Sequence, residues 1–137
     1  MAKLEISGFE DLEKLFLQED KNAGIAVDRM LNVAADVYVK AQKEEIRRYF
    51  ESSDRSTGDL GKSIKKSKVT RIAGSASIDV RPTGTDRNGV KNAEKGFVLN
   101  FGRSNMPAKP WIDTANEKCN EKAYEAMKKE WESLGND

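Results

Sequence analysis

Apolar residues recur along this chain with two different periods, and the changes of period mark out its elements. Over residues 25–50, Val27, Met30, Leu31 and Ala34 stand at i, i+3, i+4 and i+7, and Ala34, Val37, Tyr38 and Ala41 repeat the spacing. That pattern predicts a long amphipathic helix. Past Ala41 the stripe runs into Glu44, Glu45 and Arg48 and resumes out of register at Ile46, Tyr49 and Phe50. The far end of the helix is therefore expected to leave its own core and meet a partner. Ahead of it, Phe9, Leu12, Leu15 and Phe16 give a narrow helical stripe over residues 9–20, opened by a capping box of Ser7 and Glu10. A last helix over residues 111–134 is opened by Pro110 and carries Ile112, Ala115, Cys119, Ala123, Ala126 and Met127 on its inner side.

Between the helices the period shortens to two. Residues 75–81 place Ala76, Ile78 and Val80 on one face and Ser75, Ser77, Asp79 and Arg81 on the other, a half-buried strand. Its expected partner is residues 63–72, with the turn at Ala73 and Gly74; Ile64 and Val69 fall on opposite faces there, which calls for a bulge or an exposed ribbon. Phe97, Leu99 and Phe101 alternate with Val98 and Asn100 and predict a third strand. Residues 52–61 read as a loop or a brief helical turn, and residues 82–95, with no apolar period, as a long mobile loop. This order of elements predicts an α+β fold: a small antiparallel sheet of about three or four strands packed against a long helix in the N-terminal half and a C-terminal helix, in a single domain. That domain is expected to span residues 1–137.

Composition narrows the function. With 37% hydrophobic and 34% charged residues the core is expected to be modest, which favours stabilisation by partners. No apolar stretch nears the roughly 20 residues of a membrane span, and the start lacks the pattern of a secretory signal. Cys119 stands alone, so a soluble chain made in a reducing cytoplasm is expected. The net charge of +1 is unevenly spread: residues 1–60 carry 9 Lys/Arg against 13 Asp/Glu, residues 61–110 carry 11 against 3, and residues 111–137 carry 4 against 7. A basic middle between acidic ends suits either polyanion binding or head-to-tail contacts between copies.

Candidate chemistry is sparse. The chain has no histidine, the usual general base and transition-metal ligand. Cys119 lies on an apolar helical stripe and reads as a small buried hydrophobe. Glu44 with Glu45, and Glu51 with Asp54, are better read as solvated faces than as metal-binding pairs, because adjacent helix residues do not face one another. Gly58, Gly61, Gly84 and Gly89 make no phosphate-binding signature. No catalytic residue, cofactor site or metal site is expected. Lys62, Lys65, Lys66, Lys68 and Arg71 form the best nucleic-acid candidate, but no aromatic side chain interleaves them to stack bases. An edge ribbon guarded by lysines against aggregation explains them equally well. A small DNA-binding or regulatory module using this basic segment is the alternative reading.

Two segments are more specific. Residues 97–111, Phe-Val-Leu-Asn-Phe-Gly-Arg-Ser-Asn-Met-Pro-Ala-Lys-Pro-Trp, run from an aromatic-Gly step through Ser-x-Met-Pro-Ala-x-Pro-aromatic into a helix. They resemble the hallmark of the gene-product-ten-like family of tailed-phage tail-completion and head-tail joining proteins, to which the lambda minor tail protein Z also looks related. Residues 57–64, Thr-Gly-Asp-Leu-Gly-Lys-Ser-Ile, resemble that family's Thr-Gly-x-Leu-x-x-Ser-Ile element after the long helix. The sequence departs from the family pattern at Asn100, where an acidic residue is frequent, at Arg103, where threonine is frequent, and at Gly61, where arginine is frequent.

The resemblance implies a non-enzymatic virion protein, made in the host bacterial cytoplasm and placed at the head-tail junction. Its implied partners are further copies of itself in a ring, a hexamer for instance, the tail tube protein, and the head-completion or connector proteins. DNA would be only passing cargo in the lumen, and no membrane is involved. The interface is expected on the basic ribbon Lys62, Lys65, Lys66, Lys68 and Arg71, on Arg87 and Lys91 of the long loop, and on the corner formed by Gly102, Arg103, Ser104, Asn105, Met106, Pro107, Lys109, Pro110 and Trp111. Gly102 suits a backbone conformation closed to other residues, Pro107 and Pro110 stiffen the turn, and Met106 and Trp111 can plug it onto the core.

Overall fold

The computed structural model describes residues 2–7, 23–50, 58–72 and 75–135. The helix expected over residues 9–20 with its capping box, residues 52–57 of the expected loop, and the turn at Ala73 and Gly74 lie outside them. The elements run β1 (Ala2–Ser7), α1 (Ala23–Phe50), α2 (Asp59–Ser63), β2 (Ile64–Lys66), β3 (Thr70–Ile72), β4 (Ser75–Pro82), α3 (Asn92–Phe101) and α4 (Trp111–Gly135). The fold is α+β, with one small antiparallel sheet packed on the long helices. No described helix is long and apolar enough to cross a membrane.

Strand β4 is the centre of the sheet, flanked by β1 on one side and by β2 and β3 on the other. Its alternation is as the sequence predicts: Ala76, Ile78 and Val80 are buried beneath α1, and Ser75, Ser77 and Asp79 are only partly covered. Strands β2 and β3 are two halves of one bulged ribbon. Lys66 pairs with Val80 and Thr70 with Ser77, so three residues on the ribbon oppose two on β4 and the register slips by one. Ser67 holds the slip in place: its N–H donates to the Asp79 carbonyl at 2.8 Å, and its Oγ accepts the Asp79 N–H at 2.9 Å. Strand β1 was not expected. Its cue is the Lys3-Leu4-Glu5-Ile6 alternation, with Leu4 packed against the core.

Helix α1 packs antiparallel along α4, and their shared seam meets the buried face of β4 to form the core. Leu31, Ala34, Ala35 and Tyr38 supply one wall, and Trp111, Ile112, Cys119 and Ala123 the other. The far end of α1 does not leave this core. Gln42, Glu45 and Ile46 are all buried, so the stripe continues in step through two polar residues. Helix α4 meets both: Asn116 Oδ1 accepts from Gln42 Nε2 at 3.4 Å, while Gln42 Oε1 stays without a partner among the described residues, and Lys118 Nζ donates to Glu45 at 2.7 Å. A hydrophobicity pattern cannot register a stripe continued by amide and carboxylate groups.

The expected third strand is a helix. In α3 the buried positions are Asn92, Gly96 and Asn100, spaced by one helical turn, while Phe97 and Phe101 are 51% and 60% exposed. The alternation of Phe97, Leu99 and Phe101 therefore does not mark a sheet face. The inner stripe is small and polar because each member does a job that an apolar side chain could not. A Cβ on Gly96 would lie 2.9 Å from the Trp111 ring. The Asn100 carboxamide accepts the Ile112 N–H at 3.0 Å, satisfying a donor in the first turn of α4. Asn92 Nδ2 donates to the Thr83 carbonyl at 2.9 Å.

Candidate functional site

The basic ribbon divides between two directions. Cross-strand pairing puts Lys66 opposite Val80 and Arg71 opposite Ala76, on the face that looks toward α1. There Lys66 meets Asp36 at 2.9 Å, and Arg71 meets Asp28 at 2.7 Å while donating to the Gly24 carbonyl at 2.8 Å. Two of the five cations are thus neutralised within the fold. Lys62, Lys65 and Lys68 are exposed and form no ion pair among the described residues. Lys65 stands opposite Arg81, a like-charged pair on the outward face that an anionic partner would relieve.

The long loop is braced. Arg87 makes a two-pronged pair with Asp59 of α2, its Nε at 2.9 Å and Nη2 at 2.8 Å from the carboxylate. Asp86 Oδ1 accepts the N–H groups of Asn88 and Val90, each at 2.9 Å, and its Oδ2 accepts Lys95 Nζ at 2.7 Å. Thr83 and Ser63 tie the loop root to the end of α2. Side-chain acceptors inside a turn-rich segment supply the order that apolar residues would supply elsewhere. Lys91 is exposed at the foot of α3.

The corner between α3 and α4 is equally fixed. Gly102 has φ 80° and ψ −178°, and its N–H donates to the Val98 carbonyl at 2.7 Å. Arg103 and Met106 exchange backbone hydrogen bonds of 2.9 and 3.1 Å around Ser104 and Asn105 at the tip. Lys109 N–H then donates to the Leu99 carbonyl at 2.7 Å, which returns the chain to α3 before Pro110 starts α4. Arg103, Ser104, Asn105, Pro107, Lys109 and Pro110 are exposed, and Met106 is half-buried. Trp111 corrects the expectation that it belongs to the interface: it is fully buried, and its indole N–H donates to the Gly96 carbonyl at 3.0 Å.

The structure brings together a surface that the sequence reading did not assemble. Phe97 and Phe101, one helical turn apart, pack with ring centroids 4.6 Å apart and a tilt of 47° between the rings. Beside them Val90, Val98, Leu99 and Met106 line an open groove of about 500 Å³, rimmed by Glu94, Lys95, Arg103 and Asn105. The signal was present in the i, i+4 spacing of the two phenylalanines, which fits a helix face as well as a strand.

Two carboxylates couple this architecture to pH. Asp86 is held below the usual carboxylate range by the Lys95 ammonium and by the N–H groups of Val90 and Asn88. Burial pushes Glu45 up, but hydrogen bonds from Lys118 and Arg48 outweigh it and leave the net shift downward. Folded-state values below the unfolded ones mean that both groups stabilise the fold fully above the unfolded carboxylate value of about 4. Their contribution is lost as pH falls through the depressed folded values. Urea midpoints measured between neutral pH and pH ~3 are expected to fall steeply in that acid window. The decline should be shallower in an Asp86→Asn, Glu45→Gln double variant; an equally steep one would rule these two groups out as its source.

Compared with protein-family models, with curated proteins and with solved structures, the chain gave no match in any of the three.

Proposed function

We propose that this chain is a structural subunit of a tailed-phage particle, acting in tail completion or head-tail joining as one member of a ring between the tail tube and the connector. The observation that carries the reading is the segment 97–111. The residues that resemble the family hallmark are the same ones that build a rigid, exposed corner beside two exposed phenylalanines. A preformed protruding surface of this kind suits docking, because little conformational freedom is lost on binding. The working parts are faces: the corner, the α3 ridge and the outward lysines. The chain makes or breaks no covalent bond in this reading, and its partners are further copies, the tail tube protein and the connector proteins.

Deleting the gene from the phage or prophage that carries it tests the assignment. Filled capsids and tails should accumulate unjoined, and restoring the chain should return joined particles in which cryo-EM finds it at the junction. Normal joining without it would overturn the reading. The basic-module alternative is weakened by the pairing of Lys66 with Asp36 and Arg71 with Asp28. A DNA gel shift whose affinity fell steeply with salt would revive it.

A further inference from the structure

Large apolar side chains exposed on a rigid helix call for a cover, and this molecule carries two such places with different electrostatic surroundings. The first is the α3 ridge of Phe97 and Phe101. Helical geometry continues it over Val98 into the groove beside Val90 and Met106. Exposed Lys91, Arg103 and Lys109 lie along α3 and its corner, and Glu94 is the acidic residue on the groove rim, so the surroundings are predominantly basic. The second lies on α4, where Glu117, Glu121, Tyr124, Lys128 and Trp131 recur at helical spacing and are all exposed. Tyr124 is 69% and Trp131 41% exposed. Lys118, Lys122 and Lys129 fall on the opposite flank of the same helix, which leaves the aromatic flank with Glu117 and Glu121 against the single cation Lys128.

The geometry points to a head-to-tail contact in which the α3 ridge and groove of one copy receive the Glu117–Glu121–Tyr124–Trp131 flank of α4 from a second copy. The match is apolar against apolar at the centre and basic against acidic at the rim, the arrangement that gives an interface both burial and orientation. It is also the local form of the charge division along the chain, where residues 61–110 are strongly basic and residues 111–137 acidic. Because the two patches differ, each copy offers one and accepts the other, so the contact repeats around a ring when the rotation closes. The choice of a second copy as occupant rests on the ring reading above.

The test uses the full chain in a Cys119→Ala background, with Phe101→Cys in one preparation and Tyr124→Cys in a second preparation carrying a mass tag. Both positions are exposed, so folding is preserved, and circular dichroism checks it. Under mild oxidation at high protein concentration, the mixture should give the mixed disulfide dimer several-fold above either like-with-like dimer. Arg103→Glu should lower that yield, and Glu121→Arg on the other preparation should restore it. Equal yields of all dimers, a dominant Phe101→Cys homodimer, or no cross-link at all would overturn the contact. If gene deletion still leaves capsids and tails unjoined while the mixed dimer is missing, the face assignment fails and the ring reading stands. If particles join normally without the chain, the ring reading itself fails.

Discussion

Replacing Trp111 with alanine is expected to lower the free energy of unfolding by about 4 kcal/mol, within the usual range for truncating a buried aromatic. A domain of this size has roughly 5–15 kcal/mol in total. Trp111 is fully buried, and it sits where α3, α4 and β4 converge: its ring and Pro82 both close on the space a side chain at Gly96 would take, and the Gly96 carbonyl accepts its indole N–H. Truncation opens a cavity bounded by a helix that is itself only ten residues long. Collapse around it would pull the Gly102 corner out of place. Urea denaturation followed by far-UV circular dichroism measures the effect, and an unchanged denaturant slope would show that the fold is weakened rather than altered. Trp111→Phe separates the two contributions. It keeps most of the volume and leaves the Gly96 carbonyl without its donor, so it should cost about 1–3 kcal/mol. Equal losses in the two variants would contradict this account.

Gly102→Ala should produce the second large effect. With φ near +80° and ψ near 180° the residue occupies backbone space reserved almost entirely for glycine, and forcing a side chain there costs about 1–3 kcal/mol. A Cβ would also meet the Ala108 nitrogen at 2.8 Å and the Met106 carbonyl oxygen at 2.9 Å. Both are main-chain atoms pinned by the Arg103–Met106 and Lys109–Leu99 hydrogen bonds, so they cannot swing aside as a side-chain tip would. The expected outcome is a drop of about 3 kcal/mol, with faster amide exchange in residues 102–110. A variant as stable as the parent would mean that the corner has another conformation open to it. Under the proposed function the same variant should assemble poorly even at temperatures where it remains folded.

The particular elements show what a sequence can carry. Helix α1, strand β4 and helix α4 are legible because their buried positions are apolar and regularly spaced, and the alternation of Ala76, Ile78 and Val80 reads directly onto the core. Helix α3 was illegible for the converse reason. Its buried stripe is Asn92, Gly96 and Asn100, chosen for hydrogen bonding and close approach, while its phenylalanines face outward. The same holds at Gln42 and Glu45, where polar groups continue a buried stripe because partners on α4 receive them. For the candidate surface, the corner and its stiffening residues were legible from Gly102, Pro107 and Pro110. The plugging of Trp111 onto the core was legible from its apolar bulk beside the turn, whereas the bracing of residues 83–91 and the division of the basic ribbon depend on contacts distant in sequence, which spacing alone does not encode.

The one-residue slip between β2 and β3 reaches further than its own hydrogen bonds. An unbulged strand of this sequence would align Ile72 with Ile64 on the inner side and send Val69 and Arg71 outward, an arrangement that hydrophobicity alone would favour. The slip does the reverse, seating Val69 against the core and leaving Ile72 70% exposed. It also matches two rulers: Asp28 and Asp36 lie about 12 Å apart along α1, and Lys66 and Arg71 about 13 Å apart once one residue is absorbed. The observed alignment is thus the one in which Ser67 holds the bulge and Lys66 and Arg71 reach Asp36 and Asp28, and in it an isoleucine faces water.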